Sequence, residues 1–509
     1  MTESRPTSKS LEDRPDQQGA EGALFAKGAL AGLLGRGTGF GMQYVFLAVV
    51  GRVLGAERAA PFYSMLAAAT VLAVLGRAGL DRFGLREIAA GIARRREGIV
   101  RPLILRLMAV QVGWTIVLAA AALAARDWLA GGLSLGDADA VAWLGALALG
   151  TVLTFSLSEY VLAFRSVLAA AVVKTIIPYG VGSGVLLLVL LSSVGFRPND
   201  IAATLLTGMA ASVVVAAAII VRKTSGAETD PSIHLPRLEI GRSVALAAVP
   251  LLMLGMTGLD VVLLQASHPG AETSFYQAAQ RTAMTLTLGL LAINGIAAPL
   301  IAGAHATGRS AELARVVRRA SRWSLQQAAL IAVLLIVAGR EVLQLFGPEF
   351  ALGYGMLLIL VGAQLINAAC GPVIQLFVMT GNERAAFGVL LPVVMLALPG
   401  YYLAGSAMGG VGVAIVTAVA FALWNGGLVV LARWRFGIWT HADNWVQAGA
   451  FLLGAVAVAA FVTAGRLSPW GIVYATVAAA GLWAIGLTGE DRQLLLGAVI
   501  PPRHVTPVD

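Results

Sequence analysis

Long runs of hydrophobic residues, separated by short polar connections, follow one another along most of this chain. Most runs are long enough to cross a hydrocarbon core of about 30 Å, which takes about 20 residues of helix. Inside lipid every backbone polar group must be paired, so only helices or a closed barrel can span a membrane. The runs are continuous rather than alternating, and many are rich in Leu, Ala and Gly. The pattern therefore predicts an all-α, polytopic membrane protein.

The hydrophobic runs predict about 14 transmembrane helices, and the weakness of the first two leaves 12 or 13 as the alternative. The predicted spans cover residues 28–51, 60–80, 101–125, 140–163, 170–194, 201–221, 243–266, 281–303, 324–346, 354–379, 386–406, 409–432, 446–465 and 469–488.

The composition agrees with this pattern. Hydrophobic residues make up 58% of the 509 residues and charged residues 12%, with a mean hydropathy of +0.82, whereas soluble domains contain about 25% charged residues. The single cysteine, Cys370, excludes an intrachain disulfide. The net charge of +9 is dispersed between apolar runs, which is typical of membrane topology signals and not of a nucleic-acid-binding surface.

Positive residues are concentrated on one side of the predicted spans. The N-terminal tail and the connections after even-numbered spans contain the dense groups, which are Arg82, Arg86, Arg94, Arg95, Arg96 and Arg101; Arg222, Lys223, Arg237 and Arg242; and Arg309, Arg315, Arg318, Arg319 and Arg322. Connections after odd-numbered spans carry only scattered residues such as Arg126 and Arg197. The positive-inside rule therefore predicts a multi-pass protein of the cytoplasmic (inner) membrane with both termini cytoplasmic.

A repeat is visible in the basic connections. The connection after span 2 (Asp81–Arg101) has a counterpart six spans later, after span 8 (Ala304–Arg322). This predicts two six-helix lobes around a central cavity, plus two extra C-terminal helices; the alternative is that basic connections merely mark the cytoplasmic side. The predicted parts are a disordered cytoplasmic tail (1–24), an N-terminal lobe (25–222), a cytoplasmic linker (223–242), a C-terminal lobe (243–435), two additional helices (436–490) and a cytoplasmic tail (491–509).

Few ionisable residues remain inside the predicted spans, and each costs about 2.5–3.5 kcal/mol to insert there. The candidates are Arg36, Arg77, Glu159, Asp260 and Arg281. Arg77, Glu159 and Arg281 lie near span ends, so extension of their side chains to the interface is the alternative, and it is the interpretation preferred for Glu159. Arg36 lies deeper among glycines that permit close approach of a helix or ligand. Asp260 requires an arginine or a bound cation as a partner.

Arginines lining an internal cavity suit an anionic, phosphate-bearing substrate, because guanidinium offers forked donors and keeps its charge. No GxxxxGK[ST] loop is present, which excludes a P-loop ATPase within this chain. The five histidines are scattered, so neither a metal site nor another cofactor is predicted. The connections after odd-numbered spans are short, which argues against an enzyme.

Three stretches carry a family resemblance through their order and spacing. They are GRGTGFGMQYVFLAVVGRVLGAERAAPFYSML followed by GRAGLDRFGLREIAA, then LLMLGMTGLDVVLLQ with FYQAAQRTAMTLTLGLLAINGIAAPLIAG, and finally LFGPEFALGYGMLLILVGAQLINAACGPVIQLFVMTGNERAAF. With them the chain resembles the polysaccharide (lipid-linked oligosaccharide) flippases of the multidrug/oligosaccharidyl-lipid/polysaccharide exporter superfamily.

The resemblance implies two six-helix lobes in a V around a cavity, and movement of lipid-linked sugars to the outer leaflet by alternating access. Relatives that flip the lipid-linked peptidoglycan precursor place arginines of spans 1, 2 and 8 around the diphosphate, which corresponds here to Arg36, Arg77 and Arg281. Asp260 matches an acid that some relatives use to bind sodium. Span 11 here offers no carboxylate or Asn, so Asp260 is expected to serve a proton or an ion pair instead of a full sodium site.

The expected function is therefore that of a flippase for a polyprenyl-diphosphate-linked oligosaccharide, in surface or exopolysaccharide biosynthesis. Membrane lipid is an expected partner, and a polysaccharide polymerase and assembly proteins are candidate partners. One alternative is a cation-coupled multidrug exporter of the same superfamily. Another is a scaffold in a polysaccharide assembly complex.

Overall fold

The structure, a computed structural model, describes residues 14–94, 96–134, 139–191, 198–225, 235–238, 248, 251–442 and 449. All regular secondary structure in these residues is helical. The predicted fold class, an all-α polytopic membrane protein, is confirmed. The two predicted C-terminal spans, residues 446–465 and 469–488, lie outside the described residues.

The helices follow the hydrophobic runs. In the first part of the chain they are α1 (Arg14–Arg77), α2 (Leu80–Ala93), α3 (Val100–Ala124), α4 (Arg126–Gly132), α5 (Asp139–Ala163), α6 (Val167–Ala171), α7 (Ile177–Leu191) and α8 (Pro198–Thr224). Residues 251–257 are helical. They are followed by α9 (Leu259–Ser267), α10 (Ala271–Ala283), α11 (Thr287–Ala306), α12 (Ser310–Leu343), α13 (Tyr354–Cys370), α14 (Val373–Met379) and α15 (Glu383–Phe436).

Nine helical stretches among the described residues are long and apolar enough to cross a membrane. Large apolar side chains such as Leu188, Leu191 and Leu396 are exposed, while polar Gln111 and Asp260 are fully buried. Soluble monomers rarely expose apolar surface on this scale. This arrangement fits a protein whose outer surface faces lipid.

Two of these stretches each contain a pair of predicted spans. In α1 the backbone at Gly55 is non-helical, with φ 72° and ψ 166°. In α15 the break lies at Gly409, with φ 59° and ψ −146°. Glycine tolerates these positive φ values because it has no Cβ. Gly55 falls between the predicted spans 28–51 and 60–80, and Gly409 is the first residue of the second span of the pair 386–406 and 409–432.

Several helices extend beyond the predicted spans. The helix α1 begins at Arg14, inside the segment predicted as a disordered tail (1–24). The basic connections are also largely helical, since α2 occupies most of the first and α12 begins at Ser310 within the second. Hydropathy marks the hydrocarbon layer, whereas Arg, Glu and Ala are good helix formers outside it. The polar residues in these connections therefore continue helices that the hydropathy pattern does not show.

The chain forms two compact units, each described here by itself. Unit 1 comprises Met1–Leu47, Met65–Gly131 and Leu135–Leu251, and unit 2 comprises Ala48–Ser64, Gly132–Ser134 and Leu252–Asp509. In unit 1, α5 contacts α2, α3 and α8, and α7 packs along α8. In unit 2, α15 packs against α9 and α13, and α12 packs against α11 and α13. The boundaries predicted from the sequence for the lobes, 25–222 and 243–435, stay predictions.

Candidate functional site

One turn between α6 and α7 departs from the regular α-helix. Residues Val172–Ile176 form a π-helical turn, a feature frequent at functional sites. Pro178 follows it. Proline has no N–H, and its ring clashes with the carbonyl four residues earlier, so the carbonyl of Lys174 cannot make the regular helical bond. The sequence therefore widens the helix at the turn that carries Lys174.

Two serines from neighbouring helices bind backbone carbonyls at this turn. Ser158 Oγ on α5 donates to the carbonyl of Ala170 at 2.8 Å. Ser212 Oγ on α8 donates to the carbonyl of Val173. A carbonyl released from its helix inside a membrane is costly unless another donor pairs with it. The two hydroxyls therefore stabilise the irregular backbone around the turn.

Lys174 forms an ion pair within unit 1. Its Nζ lies 3.0 Å from Glu159 Oε1 and 4.8 Å from the centroid of the Phe155 ring. Phe155 and Glu159 are one helical turn apart on α5 and so share a face. The Glu159 side chain is 19% exposed and that of Lys174 34% exposed. Glu159 thus pairs with a cation, and its extension to the membrane interface stays a prediction.

Arg77 contacts the same aromatic ring. Its guanidinium carbon lies 5.0 Å from the Phe155 centroid, and Nη1 lies 2.9 Å from Asp81 Oδ2. A turn at Ala78 and Gly79, with φ of 46° and 74°, connects α1 to α2 and begins the helix that carries Asp81. The side chain of Arg77 is 14% exposed and that of Asp81 9% exposed. Arg77 is therefore already neutralised by a neighbouring carboxylate.

We call Arg77, Asp81, Phe155, Glu159 and Lys174 the N-terminal charge cluster. It holds two cations on one ring, each with its own carboxylate. Cation–ring contacts contribute about 0.5–2 kcal/mol and fix the position of the charge. A carboxylate and a phosphate present similar oxygens to a cation. The cluster can therefore exchange its internal acids for the oxygens of an anionic ligand.

Arg36 lies on α1 in the same unit, and its side chain is outside the described part of the structure. The backbone around it approaches the π-helical turn closely. A Cβ added to Gly35 would lie 2.6 Å from Ala171 Cβ, and one added to Gly39 would lie 2.9 Å from Thr175 Cβ. Small residues four apart permit this kind of close helix packing in membranes. The glycines next to Arg36 thus place its helix against the turn that contributes to the charge cluster.

Asp260 is the centre of a separate polar network in unit 2. It follows a break at Gly258, between the helical residues 251–257 and α9, and its side chain is fully buried. Its Oδ2 accepts hydrogen bonds from Tyr276 Oη at 2.7 Å and from Gln280 Nε2. Its Oδ1 accepts from the backbone N–H of Val261 at 2.9 Å. Discontinuous helices of this kind are typical of ion and substrate sites in transporters.

Arg281 lies near this network, within a helix that starts at Ala271, ten residues before the predicted beginning of span 8. The stretch Ala271–Ala306 is long and apolar enough to cross a membrane, and the position of the membrane boundary at residue 281 stays a prediction. The polar residues before Arg281 concealed this start from the hydropathy pattern. Arg281 interacts electrostatically with Asp260. This interaction is in line with the expectation that Asp260 has either an arginine or a bound cation as its partner.

The residues predicted to bind the diphosphate belong to different units. Arg36 and Arg77 lie in unit 1, whereas Arg281 lies in unit 2. Their grouping around one ligand stays a prediction. Lys174 was not among the predicted site residues, although AVVKTIIPYG contains a lysine four residues before a proline inside a predicted span. That spacing was the available signal for an irregular, charged turn.

The fold matches those of solved membrane transporters. A lipid II flippase, MurJ, in an inward closed conformation matches with a TM-score of 0.58 at 12% identity, over 93% of this chain and 100% of that chain. An inward-facing multidrug resistance MATE family transporter of the MOP superfamily matches with a TM-score of 0.56 at 15% identity, over 78% and 94%. A MOP superfamily transporter from Pyrococcus furiosus matches with a TM-score of 0.53 at 15% identity, over 81% and 96%.

The chain shares its fold with solved transporters that are described as members of the MOP superfamily. No protein family model and no curated protein matches the sequence. The solved proteins that share this fold are described as multidrug transporters and a lipid II flippase. The MOP superfamily is also the one whose polysaccharide flippases the sequence resembles.

Proposed function

We propose that the protein moves a polyprenyl-diphosphate-linked oligosaccharide from the inner to the outer leaflet of the cytoplasmic membrane by alternating access. The observation that carries this proposal is the N-terminal charge cluster. Two cations on one ring, inside membrane-spanning helices and each already holding a carboxylate, suit a ligand with two linked phosphates. Arg36, on the helix packed against the same turn, and Arg281 would complete the diphosphate site.

The proposed pathway places the oligosaccharide product in surface or exopolysaccharide biosynthesis, with a polymerase and assembly proteins as later partners. The solved flippase in the same fold is described as acting on lipid II, which supports a lipid-linked substrate for this chain. Both termini are proposed to be cytoplasmic, as the basic connections predict. The GxxxxGK[ST] loop of P-loop ATPases is absent from the sequence, so the proposed drive is an ion gradient, membrane potential or removal of product.

The substrate class is tested with purified protein in liposomes that contain a fluorescent, short-chain polyprenyl-diphosphate sugar. A membrane-impermeant quencher reports which leaflet the lipid occupies. We expect rapid exchange between leaflets for the diphosphate lipid and much slower exchange for the matched monophosphate and neutral glycosides, because fewer oxygens reach the cations. Equal rates for the three lipids, or no exchange above empty liposomes, would contradict the proposal.

A second candidate function is cation-coupled export of a small molecule. The Asp260 network favours it, because a fully buried carboxylate beside a helix break is a suitable place for a coupling cation. The MATE transporter with the same fold is described as a multidrug resistance protein. Everted vesicles incubated with cationic dyes separate the two functions, since only the exporter would accumulate dye from outside in response to a sodium or proton gradient.

Asp260→Asn tests whether this residue couples transport to a cation. We propose coupling, and therefore expect the wild type to respond to external pH or sodium and the variant to lose that response while still binding substrate. Tyr276→Phe is the matched control, because it removes one hydrogen bond to Asp260 and leaves the carboxylate in place. If the variant kept the wild-type pH and sodium dependence, Asp260 would be a structural partner of Arg281 only.

A further inference from the structure

A second basic site lies in unit 2, between α11 and α12. A cavity of about 880 Å³ opens there, with an apolar wall from α11 and a basic wall from α12. The basic wall consists of Arg315, Arg318, Arg319 and Arg322. None of these residues belongs to the charge cluster or the Asp260 network.

The spacing of the arginines explains why they share one wall. Positions three, four and seven residues apart fall on one face of an α-helix, and α12 is helical throughout this segment. Arg315 and Arg318 are exposed, while Arg319 and Arg322 are partly buried. Glu312 also lines the cavity, but its Oε2 lies 3.2 Å from Arg309 Nη1 and is thus engaged by another cation. The described lining of the cavity therefore contains four arginines and a single carboxylate.

The opposite wall is apolar and faces outward. Ile293, Ile296 and Leu300 lie on one face of α11. Ile296 is 45% exposed and Leu300 53% exposed, as expected of side chains that face acyl chains. Trp323 lines the same cavity, and tryptophan is enriched where hydrocarbon meets head groups. The cavity is therefore amphiphilic, with an arginine face for an anionic head and an apolar face for its chains.

We propose that this cavity binds an acidic phospholipid of the cytoplasmic leaflet. The assignment to that leaflet rests on the orientation proposed above, because the arginines follow span 8. Basic pockets between membrane helices on the cytoplasmic side suit the phosphate groups of such lipids. The described residues lining the cavity include no Asn, Gln, Ser or Thr that would bind sugar hydroxyls, so a phospholipid fits better than the glycosylated carrier.

Native mass spectrometry of the full-length protein with phosphatidylglycerol, cardiolipin or phosphatidylcholine tests the proposal. We expect selective binding of the two acidic lipids. The Arg315→Gln/Arg318→Gln double variant should lose about thirtyfold in affinity for them, because each basic residue near a lipid surface contributes about fivefold. Arg315→Lys/Arg318→Lys should keep most of the affinity because the charges remain. Arg384→Gln, an exposed arginine elsewhere on unit 2, is the control and should bind like the wild type.

Three results would overturn the proposal. Phosphatidylcholine could bind as tightly as the acidic lipids, or the double glutamine variant could keep the acidic selectivity. Alternatively, a polyprenyl diphosphate could displace phosphatidylglycerol with higher affinity, which would make the cavity a substrate-docking site. Lipid-free thermal unfolding confirms that each variant is folded. Because binding is measured without transport, failure here is separate from failure of the flippase proposal.

Discussion

Replacing Lys174 by glutamine is expected to slow flipping of a polyprenyl-diphosphate lipid by about thirtyfold, and Arg77→Gln by a similar factor. A hydrogen bond to a charged group contributes about 1.5–3 kcal/mol, and roughly 2 kcal/mol corresponds to this change in rate. Rates in liposomes are to be normalised to the amount of inserted protein. Arg86→Gln is the matched control, because this arginine on α2 is 46% exposed and lies outside the cluster.

The partner acid separates a substrate role of Lys174 from a structural one. Glu159→Gln removes the carboxylate that holds Lys174, which leaves the ammonium available to phosphate. If Lys174 binds substrate, this variant should bind the diphosphate lipid as tightly as the wild type or more tightly. If the pair is only structural, Glu159→Gln should be as harmful as Lys174→Gln, and the double variant should recover activity. The second pattern would refute the assignment.

Gly208→Leu is expected to prevent stable folding of unit 1. A Cβ at Gly208 on α8 would overlap the carbonyl oxygen of Pro178 and lie 2.9 Å from its carbonyl carbon and 3.1 Å from the Gly182 nitrogen. These are backbone atoms of α7, so the overlap can be removed only by moving a whole helix. Overpacking of this kind costs about 1–3 kcal/mol and occasionally more. We expect little monodisperse protein in size-exclusion chromatography.

The smaller change Gly208→Ala gives a quantitative test with a matched control. Helix propensity alone favours alanine over glycine by about 1 kcal/mol. Gly184 lies on the adjacent helix α7 with open space at its Cβ position, so Gly184→Ala should maintain or raise the unfolding temperature. Gly208→Ala should lower it, because the clash exceeds the gain in propensity. Equal unfolding temperatures for the two variants would show that the helices are not held at this distance.

Hydropathy predicted the fold class and most helices, but not where the helices end. Span 4 (140–163) corresponds closely to α5, because its ends coincide with a change from apolar to polar residues. Span 8 was placed at 281–303, whereas the helix begins at Ala271, because its first turns carry polar residues that pack inside the protein. Burial within the protein, and not contact with lipid, decided that boundary.

The candidate site was predictable in part, for a similar reason. Arg77 and Asp260 were identified because charges inside apolar runs are rare. Their partners were not: Asp81 becomes a partner of Arg77 through the turn at Ala78 and Gly79, and Tyr276 and Gln280 become partners of Asp260 through the contact of α9 with α10. Lys174 was overlooked because its neighbours are strongly apolar, although Pro178 four residues later indicates an irregular turn. A sequence shows which charged residues lie inside apolar runs, whereas the partner of each charge is known only from the three-dimensional contacts.

The π-helical turn at Val172–Ile176 also has a consequence for comparing this gene with its homologues. Such a turn contains one residue more than regular α-helix would need, and deleting that residue would rotate the following helix by about 100°. A single-codon deletion there would leave the hydropathy of the segment almost unchanged. It would nevertheless rotate Lys174 away from Glu159 and Phe155. A one-residue alignment gap at this point should therefore distinguish homologues that retain this ion pair from those that lack it.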